Sequence, residues 1–138
     1  MIDELLADLE RDEGFVPHAY QDSLGFWTIG FGTLIDERRG GGISREFAHM
    51  LLERGAVRRW NDLCREKPFL VMLPEHVQRA VANMAYQLGV GGVLGFKNML
   101  AALERFDFHT ASREALASKW ATQTPPRAER VAALMRGE

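Results

Sequence analysis

Glu13, Asp22 and Thr28 are the residues whose types and spacing could do chemistry in this chain. They lie between Asp12 and Thr33, where helical periodicity gives way at Gly14 to Gly-punctuated strand sequence. Glycoside hydrolysis needs two carboxyl groups flanking a sugar ring, one to protonate the leaving oxygen and one to activate water or attack carbon. Glu13 ends an apparent helix, a position that disfavours negative charge and so suits a proton donor. Asp22 falls in a polar turn rich in backbone N–H groups, the contrasting surroundings that a two-carboxylate site requires. Thr28, one strand on, can hold a water with its hydroxyl. On spacing alone, a surface Glu and a turn-forming Asp remain the commoner reading of one such pair among 19 acidic residues.

The elements that must position these residues are legible nearby. Residues 2–13 read as a helix, with Ile2, Leu5, Leu6 and Leu9 at helical spacing and Asp3 and Glu4 at the positive end. Residues 15–21, 26–31 and 33–36 read as short strands, joined first by the turn Asp22-Ser23-Leu24-Gly25. Arg38 to Gly42 forms a flexible connection, and Ser44 caps a helix running to residue 66. Phe47, Met50, Leu51, Val57, Trp60 and Cys64 populate one broad face of that helix. Pro68 ends it. Pro74-Glu75 opens a core helix with Val77, Val81, Met84, Ala85 and Leu88 inward, and Gly89, Gly91, Gly92 and Gly95 break the chain after it into short pieces. Residues 96–104 and 108–118 form two more helices. Thr124 caps a last one that begins with Pro125 and turns Val131, Ala132 and Leu134 inward. The resulting expectation is a mostly helical α+β domain over residues 1–138. It has a small β lobe at 14–43, a helical lobe built from 1–13 and about 60–138, a connecting helix at about 44–66, and a ligand cleft between the lobes.

Composition agrees with a folded chain: 138 residues, 46% hydrophobic and 26% charged. No run approaches the ~18 apolar residues of a membrane span, and the N-terminus does not read as a secretory signal. Cys64 is the sole cysteine, so an intramolecular disulfide is excluded. Residues 1–69 carry 9 basic and 13 acidic side chains, and residues 70–138 carry 8 and 6. That bias suits an anionic polymer but is too weak to indicate nucleic acid. His18, His49, His76 and His109 lack metal-ligand spacing. The Gly-rich run at 89–95 has neither the preceding strand nor the Gly-Lys-Ser/Thr of a phosphate loop. A helix-turn-helix at 75–104 would present Phe96 to Leu103, too apolar to read bases.

Several blocks together carry a specific resemblance. Glu13-Gly14, Tyr20-Gln21-Asp22 and Gly25-Phe26-Trp27-Thr28-Ile29-Gly30-Phe31-Gly32 resemble the catalytic segment of phage-type lysozymes, glycoside hydrolase family 24. The resemblance continues at Asn83-Met84-Ala85-Tyr86-Gln87-Leu88-Gly89 and Gly95-Phe96-Lys97-Asn98, and ends at Trp120 to Val131. It implies a two-lobed lysozyme fold and cleavage of the β-1,4 bond between N-acetylmuramic acid and N-acetylglucosamine in peptidoglycan. By position it makes Glu13 the general acid, Asp22 the second carboxylate and Thr28 the residue near the attacking water, in a family described as inverting. It places Leu34 and Tyr86 as substrate contacts and Arg127 as a supporting residue near the acid, with Met99 and Glu114 as weaker counterparts of neutral polar contacts.

The resemblance implies no metal or organic cofactor, and bacterial peptidoglycan as the partner of a monomer. The absence of a long apolar run argues against membrane insertion, and the lack of a secretory signal suggests accumulation in the host cytoplasm and release to the wall through a separate holin-type pore. The chain departs from the family in a shorter connection after Leu34, Thr33 where relatives carry His, a shortened C-terminal tail and an acidic balance. Two other functions fit the same residues less well. One is a catalytically idle wall-binding or virion structural module, which retention of Glu13, Asp22 and Thr28 together argues against. The other is a lytic transglycosylase, which needs the acid without a water-activating carboxylate.

Overall fold

The computed structural model describes residues 1–35 and 41–138. The expected end of the third strand at Asp36 and the start of the Arg38 to Gly42 connection lie outside the described residues. The architecture is α+β and mostly helical, a lysozyme-like combination of helices with one small antiparallel sheet. The chain divides into two compact units, Met1–Leu51 and Leu52–Glu138.

In the first unit, α1 spans Ile2–Glu13, with Asp3 and Glu4 in its first turn and Arg11 in its last. Its apolar stripe of Ile2, Leu5, Leu6 and Leu9 is 42–57% exposed, and the helix buries no residue. Gly14 ends it at φ 74°, its N–H donating to the Glu10 carbonyl at 3.0 Å. Three strands come next in sequence order: β1 Val16–Gln21, β2 Trp27–Gly30 and β3 Thr33–Leu34. Tyr20 pairs with Thr28 and Gln21 with Trp27, while the register slips between Val16 and Tyr20. Thr28 also pairs with Leu34, and Ile29 with Thr33, so β2 is central. The first two strands are shorter than the sequence suggested. Gly30 and Gly32 both take positive φ, 71° and 74°, and turn the chain back before Phe31 can join the ladder. Among the described residues of this unit, Thr28 alone is buried.

Helix α2, Arg45–Glu66, begins in the first unit and enters the second at Leu52. Its 22 residues span about 33 Å. Ser44 caps it as expected, Oγ accepting from Phe47 N at 3.1 Å. The broad apolar face does not hold. Met50, Leu51 and Val57 are more than half exposed, and Leu63 is the one buried residue, flanked by half-buried Trp60 and Cys64. Only the C-terminal turns therefore meet the core. Pro68 does not simply end the helix but starts a 3-10 turn, Pro68–Met72, that buries Leu70.

Helix α3, Glu75–Leu94, is the centre of the second unit. Val77, Val81, Met84 and Ala85 are fully buried, as their spacing indicated, and Leu88 is half-buried. The glycine-rich run does not fragment the helix at every glycine. Gly89 alone leaves helical geometry, at φ 76° and ψ 169°, and helical pairing resumes to Leu94. Next come α4 Lys97–Glu104 and α5 Phe108–Leu116, the latter capped by Asp107 Oδ1 accepting from Thr110 N at 3.1 Å. An unforeseen short helix, α6 Lys119–Gln123, is capped by Ser118.

Helix α7, Pro125–Arg136, packs against α3 and α5. Thr124 does not cap it. Its hydroxyl instead donates to the Trp120 carbonyl at 3.1 Å, closing α6. Val131, Ala132 and Met135 are buried, with Leu134 partly so. Losing one large side chain from this core, such as Met84, costs about 2–5 kcal/mol. Among the described residues, no helix is long and apolar enough to cross a membrane.

Candidate active site

Glu13 is the last residue of α1, where the helix presents its negative end. Its carboxylate is exposed and rests against the turn between β2 and β3. A Cβ on Gly32 would lie 2.8 Å from Glu13 Oε2. Phe15 and Phe31, with ring centroids 5.4 Å apart, tie the chain just past α1 to that same turn. The acid is thus placed by a helix end, by an aromatic pair and by the absence of a side chain at position 32.

Asp22 is fixed by the hairpin it opens. Oδ1 accepts from Leu24 N and from Phe26 N, both at 2.9 Å. Its own N–H donates to the Phe26 carbonyl at 2.8 Å, and its carbonyl accepts from Gly25 N at 3.0 Å. Oδ1 is committed to the turn. The Thr28 hydroxyl donates to the same Phe26 carbonyl at 3.2 Å. With its proton committed there, Thr28 Oγ1 retains lone pairs that can accept from a water. The backbone of Phe26 therefore holds both Asp22 and Thr28. Leu34, 48% exposed, stands beside Thr28 in the ladder. Four of the six residues singled out from sequence, Glu13, Asp22, Thr28 and Leu34, belong to the first unit.

The other two, Tyr86 and Arg127, belong to the second unit. Tyr86 is 38% exposed on α3, and the Arg59 guanidinium lies 5.0 Å from its ring centroid. Arg127, on α7, donates from Nε to Asn83 Oδ1 at 2.9 Å and from Nη2 to the Asn83 carbonyl at 3.2 Å. Trp120 Nε1 donates to Gln87 Oε1 at 2.9 Å. Asn83, Tyr86 and Gln87 have the i, i+3, i+4 spacing that aligns side chains on one helix face. Met99 and Glu114 do come together, lining a pocket of about 360 Å³ with Lys97, Asn98 and Ser118.

Residue-type reasoning did not single out Phe26, Asn83, Gln87 or Arg59 for a role, whereas Gly32 inside strand sequence does signal the close approach that Glu13 makes. Phe26, Asn83 and Gln87 stand inside the motif blocks, so their positions were visible even though their roles were not. Phe26 acts through its backbone, which no side-chain reading detects. Arg59 gave no signal, being one Arg of a helix that also carries Arg54, Arg58 and Arg65.

Known proteins match this chain over nearly its whole length. A model of the family described as phage lysozyme matches residues 10–136. The pre-baseplate central spike protein Gp5 of Enterobacteria phage T4 is 32% identical across 89% of this chain. The match spans 26% of that much longer protein. Two probable T4-type lysozymes of Dictyostelium discoideum are 28% and 27% identical, each across 95% of this chain and 92% of its own length.

Proposed function

We propose that this chain, which belongs to the phage lysozyme family, is a muramidase that hydrolyses the β-1,4 bond between N-acetylmuramic acid and N-acetylglucosamine in peptidoglycan. Glu13 is the general acid, giving its proton to the glycosidic oxygen as the bond to the anomeric carbon breaks. A water held by Asp22 Oδ2 and Thr28 Oγ1 attacks that carbon from the opposite face and passes its proton to Asp22. Leu34 and Tyr86 contact the sugars, and Arg127 supports the site by fixing Asn83 of α3 to α7.

The observation that carries this reading is the shared Phe26 backbone. It holds one carboxylate oxygen of Asp22 and the proton of Thr28, so that one residue's backbone orients both side chains. A group held before reaction costs nothing to orient during it. A second reading is supported by the similarity to the T4 spike protein, namely a catalytically idle virion structural module.

End-group analysis of purified peptidoglycan treated with the protein tests the proposal. New reducing muramic ends are expected. Anhydromuramic ends would assign a lytic transglycosylase, and the absence of any new ends would favour the structural module.

A further inference from the structure

Resting on the muramidase reading, we propose that Arg59 is a substrate-binding residue that recognises a carboxylate carried by the wall strand beside the sugar on Tyr86. The inference starts from how Arg59 is held. Like Arg54 and Arg58 on the same helix, it meets no acidic side chain among the described residues; unlike those two, it is drawn in against an aromatic ring. It is half-buried, stacks at 5.0 Å over the partly exposed Tyr86 ring, and donates from Nη1 to the Gly55 carbonyl at 3.1 Å.

Stacking and one backbone acceptor hold the guanidinium plane, and no acidic side chain among the described residues neutralises it. A guanidinium has five N–H donors in a fixed fork that matches a carboxylate, so most of its capacity is left for a ligand. Gly55 makes the arrangement possible. A Cβ there would lie 2.8 Å from Arg59 Nη1 and 3.5 Å from Tyr86 Cε2. The surrounding unit, residues 52–138, carries 13 basic and 9 acidic side chains, net +4, so its field favours an anionic ligand.

A sugar beside an aromatic ring that carries a stacked guanidinium is chemistry for a charged glycan rather than a neutral one. In peptidoglycan the carboxylate is either that of the muramic lactyl group or one carried by the peptide attached through it. Arg59 reads this shared chemistry, and Tyr86 supplies the apolar surface that the sugar needs.

Binding is measured by calorimetry at low salt, on protein carrying Glu13→Gln so that turnover plays no part. The probes are a muramic-acid-containing tetrasaccharide with free lactyl carboxylates, its methyl ester, and a tetrasaccharide bearing the stem peptide. Arg59→Gln is expected to weaken the free-acid or the peptide-bearing probe about tenfold, whichever supplies the carboxylate, and to leave the methyl ester unchanged. Arg59→Lys should recover part of the loss, because it keeps the charge but not the fork. Gly55→Ala leaves Arg59 present but displaces it, and should reproduce the Gln result while the helix stays intact. Equal weakening of the acid and its ester, or no weakening of either charged probe, overturns the proposal. Because binding is read without catalysis, a protein that binds the charged probe through Arg59 but yields no new wall ends would contradict the muramidase reading alone.

Discussion

The Glu13 carboxylate rests against the backbone of Gly32, so close that a Cβ there would lie 2.8 Å from Oε2. Gly32 also sits at φ 74°, a conformation that costs an L-residue about 1–2 kcal/mol. A side chain at position 32 would thus strain the backbone and push the Glu13 carboxylate aside. Gly32→Ala should lower stability by about that amount and move the acid enough to cut turnover about 100-fold. Steady-state rates on purified peptidoglycan, beside a urea melt, check this. Unchanged turnover would show that the contact does not place Glu13.

Asp22 has a structural and a chemical task that two substitutions separate. Asp22→Asn keeps an amide oxygen for the Leu24 and Phe26 N–H groups, so the hairpin should persist while turnover falls at least about 100-fold. Asp22→Ala removes both bonds as well and should cost a further 1–3 kcal/mol or so in stability. A correctly folded Asp22→Asn with near-normal turnover would remove Asp22 from the mechanism.

Much of this is legible in the sequence. The end of α1 at Glu13, the Asp22 turn, the Ser44 cap and the Val77-Val81-Met84-Ala85 stripe come from local rules of periodicity, capping and turn chemistry. The failures share a cause. Met50, Leu51 and Val57 have helical spacing, yet burial depends on what a helix face meets, which spacing does not encode. Thr124 has the right identity and place for a cap, but a competing carbonyl at Trp120 takes its hydroxyl. Gly91 and Gly92 looked like breakers and stayed helical because the single positive φ at Gly89 absorbs the bend. At the candidate site, residue types pointed to Glu13, Asp22 and Thr28, whereas the Phe26 backbone that joins two of them is invisible to residue type.

Arg127 clamps α7 to α3 through both the side chain and the carbonyl of Asn83. Arg127→Ala should therefore destabilise the fold by about 1–2 kcal/mol in urea unfolding. Lysine has no fork to span both acceptors and should recover little of the loss. Full recovery by Arg127→Lys would mean that charge, not geometry, is what Arg127 supplies.

Hydrogen bonding to Thr110 holds the Asp107 carboxyl below the usual carboxylate range, with Arg105 and Arg113 adding to the effect. A folded value below the unfolded one means that the cap's contribution is present above the unfolded value and is lost as pH falls through the folded one. Asp107→Ala should lower Tm at neutral pH, and the gap from wild type should shrink progressively below about pH 4. Thermal melts across that range decide it. A gap that persists undiminished in strong acid would show that ionisation of Asp107 does not matter to the cap.

The account rests most heavily on Glu13 as a proton donor. Clearing of purified peptidoglycan by wild type and by Glu13→Gln, at equal concentration and with matching circular dichroism, tests it directly. Wild type should clear the suspension, and the Gln variant should be slower by about 100-fold to 10,000-fold. Equal clearing by the two proteins would contradict the assignment of Glu13.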